Sequence, residues 1–123
     1  MSQYLVLLYA AEGEEAEEQQ RWAQLPLWLE LTESLREAGL LVANGALHRT
    51  DTATTVRVRG GEVEMTDGPF AITKEVLAGF YLLDCDSLDE ALQHAARFPT
   101  ARYGSVEVRP VMGPGDIPGG DQA

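Results

Sequence analysis

The segment 66–75 holds the densest group of side chains that could do chemistry. It reads Thr-Asp-Gly-Pro-Phe-Ala-Ile-Thr-Lys-Glu, so Asp67 and Glu75 could exchange protons and Lys74 could orient an anion. Loops that join rigid strands are common places for binding and catalytic residues. The competing interpretation is a turn, since Asp and Gly tolerate turn dihedrals and Pro fixes its own φ. The residues alone leave both interpretations open.

Well-known catalytic and metal-binding motifs do not occur in the sequence. Its single cysteine, Cys85, and its two histidines, His48 and His94, lack metal-ligand spacing, and there is no nucleotide-binding fingerprint. We therefore predict no metal and no cofactor. His48 could be a base oriented by Asp51, or simply a loop residue between strands. We interpret His94 as solvated and Cys85 as an inert, partly buried thiol.

The composition limits the classes of partner. The chain has 123 residues, enough for one domain, and 20 acidic against 9 basic side chains give a net charge of −11. Such a surface repels phosphate backbones and anionic lipid, so we expect neither nucleic acid nor membrane as a partner. One cysteine excludes an internal disulfide, and no signal peptide is recognisable, so we predict a cytoplasmic protein.

Alternating apolar residues predict four strands and a hairpin. The segments 4–9 and 77–84 are apolar on both faces, as in strands covered on both sides, and 40–47 and 105–109 complete the set. Residues 55–66 form a hairpin around Gly60-Gly61. Its register places charged pairs on one face and apolar pairs on the other: Arg59–Glu62 and Arg57–Glu64, then Val58–Val63 and Val56–Met65.

Two amphipathic helices are predicted. The first covers 18–38 and contains Pro26, so it is either kinked there or begins near it. Ser87 and Glu90 match a capping box that opens the second helix, and Pro99 ends it. The Gly- and Pro-rich residues 113–123 are predicted to be a disordered tail behind a domain of residues 1–112.

This order of elements predicts an α+β fold. We expect a ferredoxin-like antiparallel sheet with two helices on one face and an inserted β-hairpin. The other face is then bare and apolar, which is typical of an interface. Since twofold self-association is the commonest assembly, we predict a homodimer in which two such sheets close a dimeric α+β barrel.

Several segments carry a family resemblance: Asp67-Gly68-Pro69-Phe70, Thr73-Lys74-Glu75, 79–82, 84–96 and 104–112. Through them the sequence resembles the DGPF subfamily of the YCII-related proteins, from the first strand to about residue 112. The resemblance implies a ferredoxin-like fold and a dimeric α+β barrel. It names no reaction, because the DGPF subfamily is largely uncharacterised.

The sequence departs from the family pattern at two places. Ile72 stands where the subfamily usually has a Glu, which removes a polar group after the motif. The resemblance also implies, for the wider family, a His on the first helix and an Asp near the end of the second. Aligned by eye, these places are held by Trp28 and Phe98, whose rings cannot transfer protons.

Two functions remain open. The first is a small-molecule-binding or small-molecule-converting protein with an anionic ligand. Its site is expected near the Asp67 loop, either in the barrel or in the cleft between the sheet and the helices. Its candidate catalytic residues are Asp67, Lys74 and Glu75, and its candidate ligand-binding residues are Phe70, Arg102, Tyr103 and Arg109. The second is a non-catalytic regulatory module for an extracytoplasmic-function sigma factor, since DGPF proteins are often encoded beside such factors. The loop could also be purely structural, and the sequence does not decide whether the protein is an enzyme.

Overall fold

The computed structural model describes residues 2–119, and its described part contains six strands and three α-helices. Short 3-10 turns lie at Thr50–Thr52, Pro99–Arg102 and Pro114–Asp116. In chain order the elements are β1 (Ser2–Ala10), α1 (Glu15–Trp22), α2 (Leu25–Glu37), β2 (Leu41–Ala46), β3 (Thr54–Arg59), β4 (Glu62–Asp67), β5 (Val76–Cys85), α3 (Leu88–Ala95) and β6 (Ser105–Pro110).

The main sheet has four strands in the order β2-β5-β1-β6, and every pair is antiparallel. The two strands that are apolar on both faces, β1 and β5, lie at its centre. This order, with helices connecting the strands, is the predicted ferredoxin-like α+β fold, and that prediction is confirmed.

The core lies between the sheet and one helical layer. Side chains alternate along β1, so Val6 and Leu8 are buried while Leu5 and Leu7 are only half-buried on the opposite face. Helix α2 contributes Leu31 and Leu35 to the core, and Phe98 packs into it from the segment after α3. The sheet therefore buries one face within the chain and leaves the other without a helical layer.

The predicted first helix is two helices, so the prediction of two helices in total was too low. Helix α1 ends at Trp22 and α2 begins at Leu25, with Pro26 in its first turn. A proline has no N–H and its ring clashes with the carbonyl four residues earlier, which here belongs to Trp22. Of the two alternatives for Pro26, the structure shows the helix start rather than the kink.

The hairpin has the predicted register and forms a separate two-stranded sheet. Val58 pairs with Val63 and Arg57 with Glu64. Both turn glycines have positive φ, 58° at Gly60 and 80° at Gly61, which suits a two-residue turn between right-twisted strands.

The predicted N-cap at Ser87 forms, whereas the second bond of the predicted capping box is shifted by one residue. The Ser87 hydroxyl accepts a hydrogen bond from the Glu90 amide at 3.2 Å. The Glu90 carboxylate in turn accepts from the Asp86 amide at 3.1 Å, one residue earlier than in the usual box.

The last described residues include the turn at Pro114–Asp116. Residues 120–123 of the predicted tail lie outside the described part of the chain, and the domain boundary at 112 stays a prediction. Within residues 2–119, no helix is both long and apolar enough to cross a membrane.

Candidate functional site

A cleft of about 740 Å³ lies between the first two helices and the β2–β5 edge of the sheet. The strands leave this room because their side chains are small here: Ala46 lies on β2, opposite Gly79 on β5. A Cβ at Gly79 would lie only 2.9 Å from the Gly45 carbonyl oxygen, so this strand pair depends on glycine. The cleft therefore has small residues of β2 and β5 on one wall and the two helices α1 and α2, which are separated at residues 23–24, on the other.

Aromatic rings form the inner wall of the cleft. Trp28 from α2 stacks against Tyr81 from β5, with centroids 6.3 Å apart and an interplanar angle of 21°. Phe98 lies behind them, 5.8 Å from Trp28 and 4.7 Å from Tyr81 between ring centroids. Trp28 and Tyr81 line the cleft, whereas Phe98 is fully buried.

The Tyr81 hydroxyl is held by Thr32. The Thr32 hydroxyl donates to the Trp28 carbonyl at 2.7 Å and lies 2.6 Å from the Tyr81 hydroxyl. A threonine hydroxyl has one proton, which the Trp28 carbonyl receives, so Tyr81 donates to Thr32. The Tyr81 oxygen thus keeps its lone pairs as an acceptor in the cleft wall.

Positive charge is concentrated at the cleft although the chain is acidic. Its lining includes three arginines, Arg21, Arg36 and Arg49. Among the described residues, Glu18 is the only acidic residue that lines it. Glu18 forms an ion pair with Arg49, and Arg36 pairs with Glu33, which lies outside the cleft.

Arg21 is held without a carboxylate. Its guanidinium lies 4.9 Å from the centroid of the Tyr103 ring and donates to the Ala11 carbonyl at 2.6 Å. No carboxylate of residues 2–119 lies within salt-bridge distance of it. The remaining N–H groups of its planar fork are therefore available to an anion.

Two loops at the cleft rim are joined by Glu12. Its carboxylate accepts hydrogen bonds from the Thr50 amide at 2.7 Å and from the Thr50 hydroxyl at 2.5 Å. The hydroxyl bond is the main cause that lowers the pKa of Glu12 below its usual 4.5, helped by the Thr50 amide and by Arg49, while burial acts in the opposite direction.

This contact predicts a pH-dependent contribution to stability. The pKa of Glu12 is lower in the folded state than in the unfolded state. The contact therefore contributes fully to the free energy of unfolding above about pH 4.5, and this contribution is lost as the pH falls through the lowered pKa. In urea titrations from about pH 7 to pH 3, the stability difference between the wild type and Glu12→Gln should shrink with acidification. Glu14→Gln, an exposed change in the same loop, is the control. A difference that stays constant with pH would contradict the assignment.

The predicted catalytic residues do not line the cleft. Asp67 ends β4 opposite Thr54, and Lys74 is exposed. Glu75 accepts a hydrogen bond from the Ser105 hydroxyl at 2.7 Å, which ties the loop to the start of β6. None of these three side chains lies in the cleft lining. A catalytic role for them stays a prediction.

The predicted ligand-binding residues are dispersed. Tyr103 lines the cleft and holds Arg21, whereas Phe70 is 79% exposed and Arg102 lies on the exposed surface of its 3-10 turn. Arg109 lines a second, more open groove on the β6 edge, next to Leu5 and Val111.

The remaining candidates from the sequence lie as follows. His48 is in the loop after β2 and lines the cleft. His94 lies 3.0 Å from the Arg97 guanidinium through Nδ1. Burial, and then the nearby carboxylates of Glu90, Asp84 and Asp86, raise the pKa of the Cys85 thiol, so it is a poor nucleophile. No group of three or more His, Cys, Asp or Glu residues within 2–119 could hold a metal ion.

Sequence reasoning missed most of the cleft. Arg21 and Arg49 have no motif around them, and Tyr81 lies in segment 79–82, which carries only the family resemblance. The roles of all three arise from contacts with distant segments. The sequence-based candidates Tyr103 and His48 do line the cleft. A further signal was the alignment that placed Trp28 and Phe98 where the resemblance implies a His and an Asp. Those rings do lie in contact.

Comparison with known proteins identifies the family of the chain. The family model of the YCII-related domain matches residues 2–113. An uncharacterized protein of Rhizobium meliloti (strain 1021) is 50% identical over 86 residues, which cover 67% of this chain and 69% of that protein. The family model covers nearly all of the sequence, and the chain therefore belongs to the YCII-related family.

Proposed function

We propose that this chain is a small-molecule-binding protein that acts as a homodimer and holds its ligand in the cleft between the first two helices and the β2–β5 edge. The observation that carries the proposal is the cleft itself, with about 740 Å³ of space and the Trp28–Tyr81 wall. Ligand sites in proteins are typically clefts of about 300–1,000 Å³ with apolar and aromatic walls and a few oriented polar groups.

The cleft replaces the Asp67 loop as our preferred site. Phe70 and Ile72 of that loop are 79% and 96% exposed, and such isolated side chains enclose no ligand within one subunit. Asp67, Lys74 and Glu75 remain the alternative site, for which a partner subunit would have to supply the opposite wall.

The homodimer is supported by the face of the sheet that has no helical layer. Leu5, Leu7, Phe80 and Leu82 form its centre, since Leu7 pairs with Phe80 and Leu5 with Leu82 on adjacent strands. A contiguous apolar face of this kind is typical of an interface. A second copy that packs sheet to sheet would bury it and close the barrel.

Two finer assignments belong to the same proposal. We assign the chain to the DGPF branch because of its Asp67-Gly68-Pro69-Phe70 motif. We place it in the cytoplasm because its single cysteine, Cys85, is buried as a free thiol.

Intrinsic fluorescence tests the site directly, since both tryptophans of the chain, Trp22 and Trp28, line the cleft. We expect 3-phenylpropionate or its amide to change tryptophan emission saturably. The change Ala46→Phe, which fills the cleft, should weaken this binding at least about tenfold, or about 1.4 kcal/mol.

The matched control is Ala101→Phe, an exposed alanine outside the cleft lining, which should bind like the wild type. Asp67→Ala separates the two sites. If it abolishes binding while Ala46→Phe has no effect, the ligand binds at the loop and the proposed site is wrong.

The regulatory alternative is favoured by one surface. Glu14, Glu15 and Glu17 are exposed at the start of α1 and could meet a basic protein partner such as an extracytoplasmic-function sigma factor. Stoichiometric binding of such a factor, weakened when the three glutamates are changed to glutamine, would support this role.

A further inference from the structure

We infer that the cleft ligand is a small monocarboxylate with an apolar, planar body, and that its carboxylate binds Arg21. The inference deepens the proposed function and rests on it. It depends on the net charge of the cleft, on the geometry of Arg21 and on the apolar wall.

The charges of the cleft leave one cation uncompensated. Among the described lining residues, Arg49 is neutralised by Glu18, and Arg36 by Glu33 from outside the cleft. Arg21 has no carboxylate within salt-bridge distance in residues 2–119. A single negative charge on the ligand would therefore neutralise Arg21.

Arg21 is already oriented for such a ligand. The Tyr103 ring lies against its guanidinium, and the Ala11 carbonyl accepts one of its N–H groups. An arginine has five N–H donors in a planar fork that matches the two oxygens of a carboxylate. Because the ring and the carbonyl already restrict the side chain, less conformational entropy is lost on binding.

The rest of the lining suits an apolar body. Trp28 and Tyr81 present their rings on the inner wall, and Leu25, Leu29 and Trp22 line the outer part, where they are 40%, 61% and 66% exposed. Exposed large apolar side chains around a cleft are typical of a binding surface. A planar ligand body could stack on Trp28 while its carboxylate reaches Arg21.

A phosphate monoester shares the anionic chemistry but fits less well. It carries close to two negative charges at neutral pH, whereas the described part of the cleft lining has one arginine without a carboxylate partner. A carboxylate therefore matches the cleft better, and a phosphate ester serves as a competing probe.

The test compares 3-phenylpropionate with the neutral 3-phenylpropanamide by titration calorimetry and tryptophan fluorescence on the full chain. The wild type should bind the acid at least about tenfold more tightly than the amide. Arg21→Gln should reduce this preference to within about twofold, and Arg21→Lys should retain part of it because it keeps the charge without the fork.

Arg57→Gln is the control for the loss of one positive charge, since Arg57 is exposed on β3 of the hairpin and lies outside the cleft lining. It should keep the wild-type preference, and circular dichroism melting checks that each variant is folded. Helix α1 has no buried residue, so we expect the Arg21 variants to fold.

The outcomes separate the two proposals. If acid and amide bind the wild type equally well, the cleft is a ligand site but the carboxylate inference is wrong. If benzyl phosphate binds more tightly than the acid, the ligand class is a phosphate ester and the inference is again wrong. If no probe changes the fluorescence, the proposed function fails together with the inference.

Discussion

Replacing Phe98 with alanine is expected to lower the free energy of unfolding by about 3–5 kcal/mol. The ring is 1% exposed and contacts Trp28 and Tyr81. Its removal would leave a cavity beneath the cleft wall that the surrounding strands can fill only in part. Urea denaturation at a fixed protein concentration measures the effect.

The control for this experiment is the same substitution at Phe70, which is 79% exposed and should change stability by less than about 0.5 kcal/mol. A large loss in Phe70→Ala would show that the 67–75 loop is buried in the assembled protein. A small loss in Phe98→Ala would contradict the packing described for the cleft wall.

Changing Leu82 to glutamate is expected to raise the dissociation constant of the homodimer at least about 100-fold, which corresponds to about 2.7 kcal/mol. Leu82 lies beside Leu5 at the centre of the uncovered sheet face. In a sheet-to-sheet dimer the carboxylate would be buried without a partner, near its copy from the other subunit, and such a charge is strongly unfavourable. Sedimentation equilibrium measures the change.

Leu92→Glu provides the matched control, because Leu92 is 46% exposed on α3 and belongs to the helical layer. It should leave the assembly unchanged, and the melting curve of each variant shows whether the subunit is folded. An unchanged dissociation constant in Leu82→Glu would exclude this sheet face as the dimer interface.

The aromatic cluster of Trp28, Tyr81 and Phe98 includes two positions at which the family resemblance implies other residues. The positions of Trp28 and Phe98, where the resemblance implies a His and an Asp in the wider family, lie in contact in the structure. The fold thus brings the two positions together, but here they carry rings that pack and stack. This arrangement favours ligand binding over proton transfer at that place.

The local features of the fold could be predicted because their causes lie within a few residues. The hairpin register follows from alternating side chains and the Gly60-Gly61 turn. The break before α2 follows from the missing N–H of Pro26, although the sequence left a kink and a new start as alternatives. The ferredoxin-like arrangement follows from the order of strands and helices.

The sequence by itself thus determined the strands, the hairpin, the N-cap at Ser87 and the fold class, since each depends on periodicity or on a short-range backbone requirement. The tertiary structure alone decided which residues form the cleft. Trp28 and Tyr81 come from separate elements, and Arg21 meets Tyr103 from the other end of the chain. Such contacts depend on how the helical layer packs on the sheet, and no spacing along the chain encodes that distance. For this reason the sequence indicates the loop at Asp67 by its motif, whereas the residues of the better-enclosed cleft come together only in the folded chain.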